Sequence, residues 1–131
     1  MLSVKIITPI GLYKETKASI INMRTIDGQR GILVNHLPLV TTLEISVLEM
    51  EEETSRESYT ISGGVFYLDD NNNVSILVET IENTKDIDFD RAKIAKEKAE
   101  KILQDTNIDI NEQKLAEIAL KRAINRLSQG K

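Results

Sequence analysis

Several residue types are missing or rare in this 131-residue sequence, and each absence removes a class of function. Without cysteine, the chain has neither a disulfide framework nor thiolate metal ligands. Its single histidine, His36, has no serine nucleophile, cysteine or carboxylate pair close to it, so acyl transfer and a metal centre are both unsupported. No apolar run approaches the roughly 18 residues of a membrane span, and the N-terminus lacks a signal-peptide pattern. We therefore expect a non-catalytic chain that is not inserted in a membrane.

The charge is modest and unevenly distributed. The net charge is −4, with 7 Lys/Arg against 12 Asp/Glu in residues 1–85 and 10 against 9 in residues 86–131. Neither section is basic enough for a nucleic-acid binder. The acidic cluster Glu49, Glu51, Glu52 and Glu53 lacks the alternating spacing of a calcium loop, so we predict a solvated turn there.

Residues 1–85 show the pattern of an all-β domain. Short β-branched runs separated by turn residues extend from Leu2 to about Val78 and predict a β-sandwich of about eight to ten short strands. The longest predicted strand runs from Lys17 to Ile26 and ends at the turn pair Asp27-Gly28. A hairpin is predicted across the acidic turn, between residues 45–50 and 59–61.

Residues 86–131 change to a helical period. Alanines recur at helical spacing from Ala92, and glycine is absent until Gly130. The pattern predicts an antiparallel two-helix hairpin from about Asp88 to Leu127, with Asp88 or Asp90 capping the first helix and Asn111 the second. The chain is thus α+β overall, with a β-sandwich over residues 1–85 and a helical hairpin over residues 86–131.

Two groups of residues are candidate sites. An antiparallel hairpin brings Arg91 near Arg122 and Arg126, and three guanidinium groups beside a helix N-terminus suit a polyphosphate. The alternative is surface salt bridges or a carboxylate-rich partner. His36 lies between two apolar runs in the stretch from Gly28 to Leu43, which predicts strand, loop, strand. It either holds the loop by hydrogen bonds or contacts a partner protein.

Two motifs resemble one family. The pattern Gly-x-x-Gly-Ile-Leu-x-x-His-x-Pro-Leu, from Gly28 to Leu39, is similar to the first half of epsilon subunits of F-type ATP synthases (delta in mitochondria). The string Ile61 to Phe66, which contains Ser62-Gly63-Gly64, resembles that family's second landmark. Both occur in order, at the family's spacing, ahead of two helices, so the resemblance covers nearly the whole chain.

The resemblance also implies a regulatory ATP site in the hairpin. Ile-Asp-x-x-Arg-Ala from Ile87 to Ala92 looks like the ATP-sensing motif of bacterial epsilon subunits, and the segment Leu120 to Leu127 resembles their second helix. By motif match, the ATP-binding candidates are Glu82, Ile87, Asp88, Arg91, Ala92, Arg122 and Arg126. There is no Gly-x-x-x-x-Gly-Lys-Ser/Thr phosphate loop, so ATP would regulate without being hydrolysed.

The partners that the resemblance implies are those of a rotor stalk. The chain would bind the gamma subunit, contact the membrane rotor ring through Gln29, Arg30 and His36, and reach the catalytic head when the hairpin extends. It would couple ion flow to ATP synthesis at the cytoplasmic face of the cell membrane. A different hypothesis is a free-standing β-sandwich that binds a small ligand or peptide and dimerises through its helices.

Overall fold

The computed structural model describes residues 1–87, 89–105 and 108–130, which fall into two compact units, Met1–Asn83 and Thr84–Lys131. The described part of the first unit contains seven strands: β1 Leu2–Thr8, β2 Gly11–Thr25, β3 Gly28–Leu33, β4 Leu39–Glu52, β5 Arg56–Leu68, β6 Asn73–Val78 and β7 Ile81–Asn83. The second contains a 3-10 turn at Thr84–Asp86 and two helices, α1 Phe89–Gln104 and α2 Ile110–Leu127, followed by a 3-10 turn at Ser128–Gly130.

The strands of the first unit form one hydrogen-bonded ladder that closes on itself. Its order is β1-β6-β5-β4-β2-β3, and β1 also pairs with β2, so five strands make a closed circuit with β3 and β7 attached at its sides. All pairs are antiparallel except β1 with β6. Alternate residues point inward and bury one continuous apolar core, including Leu2, Ile21, Leu48, Phe66 and Ile76. The predicted α+β class and the predicted hairpin are confirmed.

The strand number was predicted too high. The described residues contain seven strands because β2, β4 and β5 are 15, 14 and 13 residues long. The Ser62-Gly63-Gly64 string resembles a strand end in the sequence, yet β5 continues through it and pairs with β4 on both sides. Glycine at these positions bends the strand without ending it, so one strand occupies the place of two predicted ones.

Strand β2 begins six residues before the predicted start at Lys17, and its two faces do not alternate throughout. The register with β4 shifts between Ala18 and Ile20, which marks a β-bulge. As a result, Ala18 and Ile21 are both fully buried, although residues three apart point to opposite faces of a regular strand. The extra residue restores the alternation that then buries Met23 and Thr25.

The two helices pack through small side chains. Ala92 and Ala99 of α1 and Ala116 and Ala123 of α2 are the buried helical residues. The second cap was predicted wrongly: Asp109 occupies the N-cap of α2, and its Oδ1 accepts from the Glu112 backbone N–H at 2.7 Å. Asp90 lies in the first turn of α1, whereas Asp88 is outside the described residues. Neither α1 nor α2, the two α-helices described, is long and apolar enough to cross a membrane.

Candidate functional site

The first candidate site is the loop of residues 34–38, which we call the His36 loop. It begins with a four-residue turn, because the His36 backbone N–H donates to the Leu33 carbonyl at 3.2 Å. The His36 ring nitrogen Nδ1 lies 2.6 Å from the Leu37 carbonyl oxygen, so the ring bonds to its own loop. This supports the interpretation that His36 holds the loop. The loop presents apolar side chains to solvent, most of all Leu37, which is 79% exposed.

The other predicted partner-contact residues lie on β3 rather than in the loop. Gln29 pairs with Arg24, and Arg30 pairs with Met23, so both sit near the turn that opens the strand. His36 follows the far end of the same strand. Gln29 and Arg30 are exposed, and β3 pairs only with β2 among the described strands, so its outer edge is uncovered within this unit. The adjacent residues Gln29 and Arg30 therefore lie near one end of β3, whereas His36 lies beyond the other end.

The second candidate site is one face of the helical hairpin. Toward the loop that joins the helices, this face has a shallow groove of about 730 Å³. Lys98 and Ile102 line it from α1, and Leu115 and Ala119 line it from α2. Four alanines, Ala95, Ala99, Ala116 and Ala119, are also part of its lining.

The hairpin's arginines fall on the same face by helical periodicity. Arg91 is seven residues before Lys98, and Arg122 is seven residues after Leu115, which is about two turns in each case. Arg126 is one further turn along the face from Arg122. The two helices run in opposite directions, so moving back along α1 and forward along α2 leads toward the same end of the hairpin. This is the open end, opposite the loop that joins the helices. The convergence of the three arginines at that end stays a prediction from helical periodicity.

The remaining ATP-binding candidates are distributed over both units. Ile87 is buried ahead of α1, and Ala92 is buried between the helices. Glu82 lies on β7 in the first unit, and Thr60 of β5 donates its hydroxyl to the Glu82 carbonyl at 3.5 Å. Asp88 is outside the described residues. Within the described residues, no group of three His, Cys, Asp or Glu side chains is arranged to hold a metal ion.

The acidic turn differs from its prediction at one residue. The Glu52 carboxylate is only 8% exposed and forms a salt bridge with Lys14 at 2.9 Å. It also accepts from the Thr16 hydroxyl at 2.8 Å and from the Tyr59 hydroxyl at 2.9 Å. Lys14 in turn donates to the Tyr59 oxygen at 2.7 Å. The sequence contained a signal for this cluster, because Glu52 is in phase with the inward-facing Leu48 and Met50.

This Lys14–Glu52–Tyr59 cluster predicts a loss of stability at alkaline pH. Burial, together with the hydrogen bond to Glu52, raises the pKa of Tyr59 to about 12 from 10.0. Burial lowers the pKa of Lys14, but its bonds to Tyr59 and Glu52 outweigh that effect and raise it. Both groups hold their protons more tightly when folded, so their contribution is complete below pH 10 and declines above it, through about pH 12. Urea unfolding from pH 9 to 12 should show a fall in unfolding free energy that is shallower in Tyr59→Phe.

The matched control for this prediction is Tyr67→Phe. Tyr67 is 46% exposed on β5, so removing its hydroxyl should leave the alkaline decline as it is in the unaltered chain. An equal decline in both variants would contradict the role of the cluster.

Comparison with known proteins agrees with both halves of this architecture. Residues 1–84 match the family model of the ATP synthase delta/epsilon chain beta-sandwich domain. Residues 85–128 match the model of the delta/epsilon chain long alpha-helix domain. Together the two models cover nearly the whole sequence, so the protein is a member of the delta/epsilon chains of ATP synthases.

Relatives identify the kind of chain within that family. An ATP synthase epsilon chain from Exiguobacterium sp. (strain ATCC BAA-1283 / AT1b) is 44% identical, over 95% of this chain and 92% of its own length. One from Lactobacillus helveticus is 39% identical, over 98% and 91%. The chain thus belongs to the epsilon chains of F-type ATP synthases, which are parts of the central stalk, and the predicted family is confirmed.

Solved structures show the same fold. A chain of the Euglena gracilis mitochondrial ATP synthase, resolved with OSCP, F1 and c-ring, aligns with a TM-score of 0.85 at 25% identity, over 99% of this chain and 81% of that one. A chain of the Tetrahymena thermophila central stalk and c-ring aligns with a TM-score of 0.69 at 14% identity, which speaks for the fold alone.

Proposed function

We propose that this epsilon chain is a non-catalytic regulator, whose hairpin senses ATP and restrains wasteful ATP hydrolysis by its complex. The sequence contains no phosphate loop that would support hydrolysis, so bound ATP acts as a signal. In this proposal Ile87 and Asp88, together with Arg91 and Ala92 of α1, contact the nucleotide alongside the arginines of α2. Glu82 is a further candidate.

The observation that supports the proposal is the spacing of Arg91, Arg122 and Arg126 in the two helices, which by helical periodicity places them on a single face toward the open end of the hairpin. Each guanidinium presents several donors in a planar fork that matches phosphate oxygens. Ala92 and Ala123 are buried at this end, and their small side chains allow the helices that carry the arginines to approach closely. A nucleoside triphosphate has enough negative charge to bind all three guanidinium groups at once.

The regulatory mechanism is a shift of population. ATP that binds the folded hairpin more tightly than the extended one stabilises the folded form, and loss of ATP favours the extended form. In the folded hairpin the buried side chains of the two helices are four alanines. Alanine buries little apolar area, and each Å² of buried apolar area contributes only about 25 cal/mol of stability. Its two states therefore differ little in energy, and a ligand of ordinary affinity can select between them.

The partners we propose are those of the rotor. The β-sandwich binds the gamma subunit and rests on the membrane ring through the His36 loop, Gln29 and Arg30, and the chain rotates with both at the cytoplasmic face of the cell membrane. The extended hairpin contacts the catalytic head. The support for these partners is membership of the epsilon chains and the likeness to a chain resolved with F1 and c-ring.

Arg122→Ala and Arg126→Ala test the nucleotide site. Removing a charged hydrogen-bond partner costs about 1.5–3 kcal/mol, so each change should weaken ATP binding by about 10- to 150-fold. The measurement is isothermal titration of the full chain with ATP. Lys121→Ala is the matched control, because it removes one positive charge from an exposed position about 100° around the helix from Arg122.

The same variants test whether these arginines serve both hairpin states. If these arginines also bind acidic surfaces of the catalytic head, a complex reassembled with either variant should hydrolyse ATP with less inhibition, when ATP is scarce, than a complex with the unaltered chain. Loss of ATP binding with unchanged inhibition would show that the arginines act only in the folded state. ATP affinity that falls no further than in Lys121→Ala would overturn the proposed nucleotide site.

A further inference from the structure

We propose that Asn35 and Asn72 act as positioning residues that lock the His36 loop in its ring-contacting conformation before any partner arrives. The two side chains join the His36 loop to the turn at residues 69–72, which connects β5 to β6. We call this pair the asparagine clamp. The inference rests on the proposed contact between the His36 loop and the membrane ring, and it names what prepares that contact.

The clamp is reciprocal and short. The Asn72 side-chain oxygen Oδ1 accepts from the Asn35 backbone N–H at 2.7 Å. The Asn72 side-chain nitrogen Nδ2 donates to the Asn35 side-chain oxygen at 3.2 Å. The residues are 37 positions apart in the chain, so the clamp unites two loops that the strand pairing leaves separate.

The backbone at both residues fits this role. Asn35 has a φ of +66° and Asn72 a φ of +62°, a left-handed conformation that asparagine tolerates better than other residues with side chains. Asn35 is the third residue of the turn closed by His36 and Leu33, where a positive φ is required by several turn types. Glycine would also permit this backbone, but it would supply no side chain for the clamp.

The Asn72 side of the clamp is itself fixed. The Asn72 carbonyl accepts from the Ser3 backbone N–H of β1 at 2.9 Å. The Asp69 carboxylate accepts from the backbone N–H groups of Asn71 at 2.8 Å and Asn73 at 2.9 Å, and these bonds lower the pKa of Asp69. The turn is therefore a rigid anchor to which the more exposed His36 loop is attached.

The clamp determines what the loop presents. Asn35 immediately precedes His36 and Leu37, and the apolar side chains of Leu33, Val34 and Leu37 are 56%, 38% and 79% exposed. Holding such side chains in one arrangement before binding removes part of the ordering cost of association. The clamp thus contributes to ring affinity without touching the ring.

Binding of the full chain to an isolated, nanodisc-embedded rotor ring tests the inference, with four variants. Asn72→Gly removes the clamp while retaining backbone freedom, and it should weaken ring binding by about tenfold. Asn72→Asp keeps the oxygen that accepts from Asn35, so it should stay within about threefold of the unaltered chain. Asn71→Gly is the matched control in the same turn, and Leu37→Asp removes the apolar contact itself.

These variants separate failure of the clamp from failure of the proposed contact. If Leu37→Asp leaves ring binding unchanged, the His36 loop does not contact the ring and the proposed function is wrong at this point. If Leu37→Asp weakens binding but Asn72→Gly behaves like Asn71→Gly, the clamp is overturned while the contact stands.

A readout on the unaltered chain does not depend on any variant folding. The Asn35 amide should exchange its hydrogen slowly in the free chain, because it is already bonded to Asn72, and it should exchange faster in Asn72→Gly while core amides are unaffected. An Asn35 amide that exchanges at the rate of an open loop in the free chain, and slows only when the ring binds, would show that the ring rather than the clamp orders the loop.

Discussion

Gly64→Ala should unfold the chain or reduce its unfolding free energy by about 4 kcal/mol. This expected loss is the sum of two costs, backbone strain and overpacking, of about 1–3 kcal/mol each. A Cβ at this position would lie 2.0 Å from the Leu77 carbonyl oxygen and 3.0 Å from Val78 Cγ1. Gly64 pairs with Val78 across β5 and β6, so the backbone cannot move aside without breaking the closed ladder. Thermal and urea unfolding of the purified chain would measure the loss.

The matched control for Gly64→Ala is Gly11→Ala. Gly11 has a φ of +125°, but a Cβ there would meet nothing within 4 Å. This variant therefore introduces backbone strain alone, and its unfolding free energy should fall by only about 1–2 kcal/mol. If the two variants were equally stable, the close approach of Leu77 would not be the reason that glycine is needed at position 64.

Glu52→Ala should reduce the unfolding free energy by about 2–4 kcal/mol, because it leaves Lys14 and the Tyr59 hydroxyl without their shared acceptor in a largely buried place. Glu52 joins three strands: Lys14 and Thr16 lie on β2, Glu52 on β4 and Tyr59 on β5. The Lys14 side chain is one-third exposed, so water can hydrate its ammonium group in the Glu52→Ala variant. The loss of unfolding free energy should therefore be smaller than for a fully buried ion pair. Urea unfolding at pH 7 measures the effect.

Glu51→Ala, one residue earlier, serves as the control. Glu51 is exposed, so its loss should change stability by no more than about 0.5 kcal/mol. A double-mutant cycle of Glu52→Ala with Lys14→Met should give a coupling energy above about 0.5 kcal/mol. Strict additivity would mean that the 2.9 Å salt bridge does not contribute to stability.

Local patterns predicted the parts of the fold that local chemistry determines. The hairpin across the acidic turn and the change to helical period depend on residues close together in sequence, and they were predicted correctly. The turn predicted at Asp27-Gly28 lies one residue earlier, at Ile26-Asp27, because Gly28 already pairs with Thr25. The continuation of β5 through Ser62-Gly63-Gly64 was missed, because it depends on pairing with the neighbouring strands β4 and β6, and the need for glycine at position 64 comes from the Leu77 carbonyl on β6.

The candidate site shows the same limit. Helical periodicity predicts that the three arginines share one face, and that assignment stays a prediction. The asparagine clamp could not, because Asn35 and Asn72 are distant in sequence and each has the composition of an ordinary turn. Glu52 was read with its charged neighbours as solvated, although its phase with Leu48 and Met50 indicated the inward face.

The closed circuit of strands has a mechanical consequence for a component of a rotary motor. In an open sheet, an edge strand can slide or peel away under load one hydrogen bond at a time. In the circuit of β1, β6, β5, β4 and β2, every strand has a bonded neighbour on both sides, so sliding one strand strains the bonds along two interfaces together. The circuit should therefore resist shear more strongly than an open sheet with the same number of strands, whereas the two helices, whose buried side chains are alanines, have no comparable network of bonds between them.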